Sequence, residues 1–389
     1  MPWKEMSAVS LRQEFVTLAG APDANISALC RRFGISRFTG HKWLGRFATE
    51  GRAGLAERSR RPQHSPGRTP APIETVILEL RAAHPAWGGR KLRARLLHIG
   101  HERVPSPSTI TAILRRHGLI DREEASKHRA WQRFEHADPN LLWQMDFKGH
   151  FAVLHGRCHP LTVLDDHSRF SLGLEACANE QGATVHQRLV HIFRRYGLPH
   201  RMLMDNGAPW GDTWEHPYTP LTVWLLRLGI KVSHGRPYHP QTQGKDERFH
   251  RTLRVELLQG RTFADLPACQ HAFDRWRTVY NTERPHEALG LATPASRYAI
   301  SSRSFSETLP PIEYDAGELV RKVQQRGFVT FKGREFRIAQ AFQGYPVAFR
   351  PTAIDGVWSI WFMTHPIAQL DLREAEPVLE SVSDVSEHV

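Results

Sequence analysis

Cysteine is scarce in this chain. Only Cys30, Cys158, Cys177 and Cys269 occur in 389 residues, and no two of them form a C-x-x-C pair. That pattern excludes a disulfide framework and a cysteine-based zinc site, and it fits a reducing cytoplasm. His155, Cys158 and His159 lie close together, but no second ligand pair is spaced to complete a zinc site. Also lacking are a signal peptide, a lipidation motif and any long apolar run, so a basic membrane-surface protein is disfavoured and no membrane partner is expected. Acidic residues are outnumbered, 40 Asp+Glu against 52 Lys+Arg, for a net charge of +12. The imbalance lies early: residues 1–139 hold 24 basic against 13 acidic, whereas residues 298–389 hold 9 against 12. An N-terminal basic excess suits an electrostatic grip on nucleic acid. Hydrophobic content of 40% with 24% charged residues is that of a globular protein long enough for several domains.

Against that background three acids stand out. Trp143, Met145, Phe147 and Phe151 alternate with Gln144, Asp146, Lys148 and His150. The period of two predicts a strand with one buried face and Asp146 on its polar face. Asp205 closes the apolar run Met202-Leu-Met204 and precedes Asn206-Gly207, a strand end running into a turn. Glu247 falls in a helix beginning near Gly244, with Arg251 and Arg254 on its face and Phe249, Leu253 and Leu257 opposite. Singly, each reads as an ordinary solvated acid. Jointly they suit two oxygen-seeking divalent cations, since Mg2+ takes one or two protein carboxylates plus waters and phosphate oxygens. Two such ions about 3.5–4 Å apart stabilise both the attacking and the leaving oxygen of an in-line phosphoryl displacement. The stripe Arg248, Arg251, Arg254 beside Glu247 suits a polyanionic substrate.

At these residues the chain resembles the transposases of bacterial insertion sequences with a retroviral-integrase-type DDE core. The likeness is carried by Trp143-Gln-Met-Asp146-Phe, Leu164-Asp-Asp-His-Ser-Arg169, Asp205-Asn-Gly207 and His239-Pro-Gln-Thr-Gln-Gly-Lys-Asp-Glu-Arg-Phe-His-Arg-Thr-Leu253, with Tyr280-Asn-Thr-Glu-Arg-Pro-His286 and Thr293-Pro294 beyond. The resemblance spans at least residues 71–298. It implies an RNase H-like α/β core and makes Asp146, Asp205 and Glu247 the metal-binding, catalytic triad, with Mg2+ (or Mn2+) as cofactor. Between Asp146 and Asp205 lie 58 residues, and between Asp205 and Glu247 lie 41. The second gap exceeds the family's usual one, and the Trp210-to-Pro220 segment reads as an inserted loop. Asp166 is the rival for a catalytic acid, but the family places its first acid on the preceding strand. Asp246 is the alternative third carboxylate, though it projects with Phe249 and Leu253.

Upstream, Ile26, Leu29, Cys30 and Phe33 recur at helical spacing, Gly34-Ile-Ser36 turns the chain, and a second helix carries Arg37, Lys42, Trp43 and Arg46. Two helices around a Gly-containing turn are a helix-turn-helix signature, with Arg37, Lys42 and Arg46 placed to meet DNA; any basic helical hairpin is the alternative. Residues 50–72 form a basic Pro-rich linker whose Arg60 and Arg61 suit a minor groove, or serve only as a tether. A second helical unit follows over 73–120, with Arg90, Lys91 and Arg93 crowded on its middle helix and Ser106-Pro107 starting its last. It resembles the second helix-turn-helix of these transposases.

The expected organisation is multidomain: an all-α helix-turn-helix domain over 1–49, the linker 50–72, the second unit 73–120, a linker 121–139, the catalytic core 140–298, a linker 299–313, a small SH3-like β-barrel over 314–372 and a disordered acidic tail 373–389. Gln241, Lys245 and Arg248 are candidates for phosphate or terminal-base contacts. The expected function is metal-dependent 3′-end cleavage and strand transfer of a mobile element into target DNA. Double-stranded DNA of the element ends and the target is then the partner, and the resemblance implies a homo-oligomer on DNA in the bacterial cytoplasm, associated with the nucleoid. An accessory transposition protein stays open as a further partner. A non-catalytic DNA-binding regulator and a plain metal-dependent nuclease are the alternatives.

Overall fold

The structure is a computed structural model that describes residues 7–59, 68–120, 135–211, 218–235, 244–373 and 378–381. The chain divides into two compact units, Met1–Arg68 and Thr69–Val389.

The first unit is helical: α1 (Ala8–Ala19), α2 (Ile26–Arg32) and α3 (Arg37–Glu50). Each begins at a capping side chain, Ser7, Asn25 or Ser36, whose oxygen accepts the N–H of Ser10, Ala28 or Thr39. Gly34, at φ +64°, makes the turn between α2 and α3. Phe15, Val16, Cys30, Trp43 and Leu55 fill the core that these helices enclose.

The second unit opens with α4 (Ala71–Ala83), α5 (Gly89–His98) and α6 (Pro107–Arg116), closed around Ile77, Trp87, Leu92, Leu96, Ile110, Ile113 and Leu114. Ser106 caps α6 and Pro107 occupies its first turn, as expected. The α5–α6 approach depends on a missing side chain. A Cβ at Gly89 would stand 2.4 Å from the Pro107 carbonyl oxygen and 2.6 Å from Thr111 Oγ1.

The central sheet comprises β1 (Leu142–Phe147), β2 (Phe151–Val153), β3 (Gly156–Asp165), β4 (Ser171–Cys177), β5 (Arg201–Met204) and β6 (Lys231–His234). Its order is β2-β3-β1-β5-β6, with β4 also on β3. β1 and β4 run antiparallel to β3, while β5 is parallel to β1 and β6 to β5. Helices cover both faces. On one, α7 (Gly182–Tyr196) and α8 (Pro220–Arg227) pack on Trp143, Met145, Leu161, Val163 and Met202. On the other, α9 (Gly244–Leu253), a π-helical turn (Arg254–Leu258) and α10 (Leu266–Thr282) bury Phe249, Leu253, Leu257, Phe273 and Trp276 against Leu164 and Leu174. The end of α10 and the residues just after it are structural. Asn281 exchanges hydrogen bonds with the Ser171 backbone at 2.9 and 3.0 Å, and Arg284 pairs with Glu256 at 2.9 Å, both nearly buried.

Beyond residue 314 lie β7 (Leu319–Lys322), β8 (Phe328–Phe331), β9 (Arg334–Arg337), β10 (Pro346–Pro351), β11 (Val357–Phe362), β12 (His365–Asp371) and β13 (Val378–Ser381). They form small antiparallel sheets, a five-stranded β13-β12-β11-β10-β7 sheet and the β8-β9 hairpin. Phe331 stacks on Phe349 at 4.1 Å, and Val223 and Leu226 of α8 enter the same core. The tail expected to be disordered from residue 373 instead supplies β13, which pairs with β12 from Asp371↔Val378 to Ala368↔Ser381. Backbone pairing on an open sheet edge stabilises it whatever the segment's net charge.

Gly89→Ala is expected to destabilise the second unit by about 1–3 kcal/mol, as overpacking does. Urea unfolding of the full chain checks this; an unchanged midpoint would mean that α5 and α6 can separate without cost.

Candidate active site

β1 and β5 pair in parallel as Leu142↔Arg201, Trp143↔Met202 and Gln144↔Leu203. Asp146 and Asp205 each lie two residues past the last pair of that register, Asp205 just beyond the end of β5, and the Asp205 charge reaches Asp146. The strand expected over 143–151 breaks after Phe147, and its alternation holds in part. Trp143 and Met145 are fully buried and Asp146 retains 22% side-chain exposure, but Gln144 is buried too, because its amide bonds the buried Asp166, and Phe147 is half-buried. Burial lifts the Asp146 carboxyl to about 7, the nearby Asp205 and Glu180 charges add to the rise, and the Phe147 backbone N–H opposes it. Glu180 has no sequence motif to announce it; His159 Nδ1 lies 2.9 Å from its carboxylate. Asp205 ends β5 with its side chain exposed, and its backbone carbonyl accepts from His234 Nδ1 of β6 at 2.8 Å.

The third element is α9. Asp246, Phe249 and Leu253 are its buried residues, and Glu247, Arg248, Arg251 and Arg254 are exposed, the division that helical periodicity predicts. Asp246 is 2% exposed, and its Oδ1 has no hydrogen-bond partner among the described residues. Burial pushes its carboxyl well up, with Asp146, Asp166 and Asp205 raising it further and Lys245 opposing. The buried Asp246 therefore feels both strand acids, while its neighbour Glu247 faces outward. His250, one turn on, joins α9 to the sheet: its Nε2 lies 2.8 Å from Thr162 Oγ1, which donates to the Asp146 carbonyl at 2.9 Å. His250 Nδ1 stands 4.0 Å from the Asp146 carboxylate, too far for a hydrogen bond. Burial and Lys148 push this imidazole down to about 4, so it is neutral at pH 7 and supplies no countercharge.

Among the described residues, no three His, Cys, Asp or Glu side chains converge into a ready cluster. The local chemistry nevertheless fits a hard cation, because burial and the charge of Asp205 raise the Asp146 carboxyl, and burial with the charges of Asp146, Asp166 and Asp205 raises that of Asp246.

The residues expected to touch DNA fall into distinct settings. Arg37 and Lys42 are exposed on α3, and Arg46 and Lys42 lie over Trp43 at 5.0 and 5.1 Å. Phe38, 83% exposed between Arg37 and Thr39, shares that surface. An apolar residue carried no signal when the helix was judged by its basic side chains. Arg90 is exposed and Arg93 half-buried, but Lys91 turns inward, its amine pushed down to about 8 by burial and by Arg284. Arg95 pairs with Glu283 of the core at 2.6 Å. The α5 basic cluster is thus partly an internal joint, and the solvent-facing residues of the last helix are Ser108, Thr109, Ala112, Arg115 and Arg116, the last paired with Glu74. Lys245 is paired with Asp166. Arg60, Arg61 and Gln241 lie outside the described residues. No described helix is long and apolar enough to cross a membrane.

Known proteins match this chain in separate segments. Residues 136–240 and 228–294 match integrase core domain families, 318–377 match the IS481 family transposase C-terminal domain, 12–63 a helix-turn-helix domain and 39–114 a homeodomain-like domain. A protein of insertion element IS476 from Xanthomonas euvesicatoria is 27% identical over 62% of this chain and 69% of its own length. One from IS407 of Burkholderia multivorans is 24% identical over 59% of this chain and 82% of its own. A solved HTLV-2 integrase catalytic core in complex with magnesium covers 42% of this chain and 99% of its own, at 16% identity and TM-score 0.33. Fold and matched domains define a polynucleotidyl transferase of the integrase-core class, with helix-turn-helix segments that bind DNA. The matched domains and the insertion-element relatives support a bacterial insertion-sequence transposase with an integrase-type core, and DNA transposition or integration as its function.

The sign of the Asp146 shift yields a test. Its folded value of about 7 lies above the ordinary 3.8, so the fold gains stability from this proton at acid pH and loses it as pH rises through 7. Asp146→Asn is therefore expected to raise the melting temperature at pH 8 in EDTA, by on the order of 2–4 °C per kcal/mol relieved. The gain should shrink at pH 5. A gain independent of pH would mean that Asp146 is not under this strain.

Proposed function

We propose that Asp146, Asp205 and Glu247 hold the catalytic divalent cations, two Mg2+ (or Mn2+), and that the chain cuts the 3′ ends of its element and joins them to target DNA. The observation that supports this reading most is the Asp146–Asp205 juxtaposition, a local excess of negative charge that a cation would relieve. Glu247 is the third ligand because it is the exposed acid of the first turn of α9, whereas Asp246 is buried beneath it. Bound Mg2+ would supply charge neutralisation at the scissile phosphate and acidify water.

The chain's own groups hold the DNA. Arg248, Arg251 and Arg254 form an exposed row running away from Glu247, suited to consecutive phosphates of one strand. In the first step a water oxygen bonds to phosphorus, and the bond to the element's 3′ oxygen breaks, leaving a 3′-hydroxyl. In the second, that 3′ oxygen bonds to a target phosphorus and the target's own 3′ oxygen leaves. One phosphodiester is exchanged for another, so no nucleotide hydrolysis is required, and positioning with charge stabilisation suffices. Joining two ends to one target calls for two such centres, hence a homo-oligomer assembled on DNA.

Purified chain, DNA carrying the sequences that flank its gene, a target plasmid and Mg2+ should yield joined product. Glu247→Gln should reduce it below about one hundredth, the scale of losing a preorganised charge-stabilising group. Cleavage without joining would instead indicate a nuclease, and joining undiminished by Glu247→Gln would remove Glu247 from the triad. Lys42→Ala should weaken binding to end DNA uniformly and lower the slope of log K against log salt by about 0.9. A slope equal to that of the wild type would show that Lys42 meets no phosphate.

A further inference from the structure

The Leu164-Asp-Asp-His-Ser-Arg169 motif contains a buried acid that the triad does not use. We propose that Asp166 is a positioning residue that ties the helix bearing Glu247 to the strand bearing Asp146. The inference rests on the reading of those two acids as cation ligands.

Asp166 is 1% exposed. Its Oδ1 accepts from Gln144 Nε2 at 2.8 Å and from Lys245 Nζ, with which it also forms an ion pair. Its Oδ2 accepts the His136 backbone N–H at 3.0 Å. The Asp166 N–H itself donates to the Leu142 carbonyl at 3.0 Å. The side-chain partners come from separate stretches. Gln144 stands on β1 two residues before Asp146, Lys245 stands in the first turn of α9 two residues before Glu247, and His136 lies in the segment leading into β1. A single carboxylate thus sets where the start of α9 lies relative to the end of β1.

The charge matters as well as the shape. Lys245 is only 19% exposed, and a largely buried ammonium needs an anion beside it. Without Asp166 the first turn of α9 would lose the carboxylate that pairs with its largely buried ammonium. Three of the roughly four acceptor positions on the Asp166 carboxylate are already taken, which leaves it poorly suited to be a ligand itself. The adjacent Asp165 does different work. Its Oδ1 accepts the Ser168 N–H at 2.8 Å and the Ser168 hydroxyl at 2.5 Å, and its Oδ2 accepts the Asn140 N–H at 2.7 Å, which closes the β3–β4 turn and anchors the start of β1.

The test uses the full chain in the joining assay with Mg2+ titrated, comparing Asp166→Asn, Lys245→Met and the double variant. Binding to end DNA should stay near wild type. Joining should fall by about 10–100-fold, with the half-saturating Mg2+ concentration raised, as for loss of groups that orient metal ligands. The double variant should be no worse than the more damaged single one, because both substitutions remove the same tie. Wild-type rate and Mg2+ dependence in Asp166→Asn would overturn the proposal. So would additive losses, or an inactive Asp166→Asn that no Mg2+ concentration revives, which would make Asp166 a ligand. Should Asp166→Asn fail to fold, Lys245→Met alone must show the Mg2+ shift. A fully active Glu247→Gln in the same series would sink the triad reading instead, an outcome separate from any Asp166 effect.

Discussion

The repulsion between two carboxylates on adjacent parallel strands is the constraint around which the core is arranged. β1 and β5 can lie side by side only because their apolar residues, Trp143, Met145, Met202 and Met204, are buried in one continuous core with α7 and α8. Burial of that face fixes the register, since a slip of one residue would turn every side chain to the other face. The same register forces Asp146 and Asp205 together at the strand ends. Hydrophobic packing on one side of the sheet thus sustains an electrostatic cost on the other. Such strain persists where the surrounding structure over-determines it, and it marks functional sites.

The opposite face delivers the third acid by the same logic. α9 is pinned by Phe249, Leu253 and Leu257, which pack with Trp276 and Tyr280 of α10. Phe249 and Tyr280 meet edge-on at 4.9 Å. Burial of Asp246 under the helix and exposure of Glu247 on it follow from one helical phase. The distal part of α10 serves a second layer of support. Its Val279 packs against the α4–α6 core, and Glu283, just past its end, holds Arg95, so the second helical unit is fastened to the catalytic core.

Much of this was readable from periodicity. The alternation over residues 143–151 placed Asp146 away from Trp143 and Met145, though the strand ends at Phe147 and Gln144 is buried as well, and the 3.6-residue pattern after Gly244 separated Glu247 from Phe249 and Leu253 as the structure has them. The capping pair Ser106-Pro107 and the turn at Gly34 were equally legible because their causes are local. What escaped were partnerships across distance. Periodicity can state that Lys91, Arg95 and Lys245 lie on a given helical face, but not that another element covers it. Lys91 and Lys245 read as DNA-facing cations, but Lys91 is buried and Lys245 pairs with Asp166, while Arg95 of the same helix as Lys91 pairs with Glu283. β13 escaped for a related reason, because an edge strand is held by backbone groups that every sequence carries.

The central claim, that Asp146, Asp205 and Glu247 surround one cation-binding centre, is tested most directly by replacing Mg2+ with Fe2+ and mapping the local oxidative backbone cuts it generates in the full chain. The account predicts cuts clustered near residues 146, 205 and 247, suppressed by excess Mg2+ and lost together in Asp205→Asn. Cuts elsewhere that survive Asp205→Asn, with none at these three positions, would contradict it.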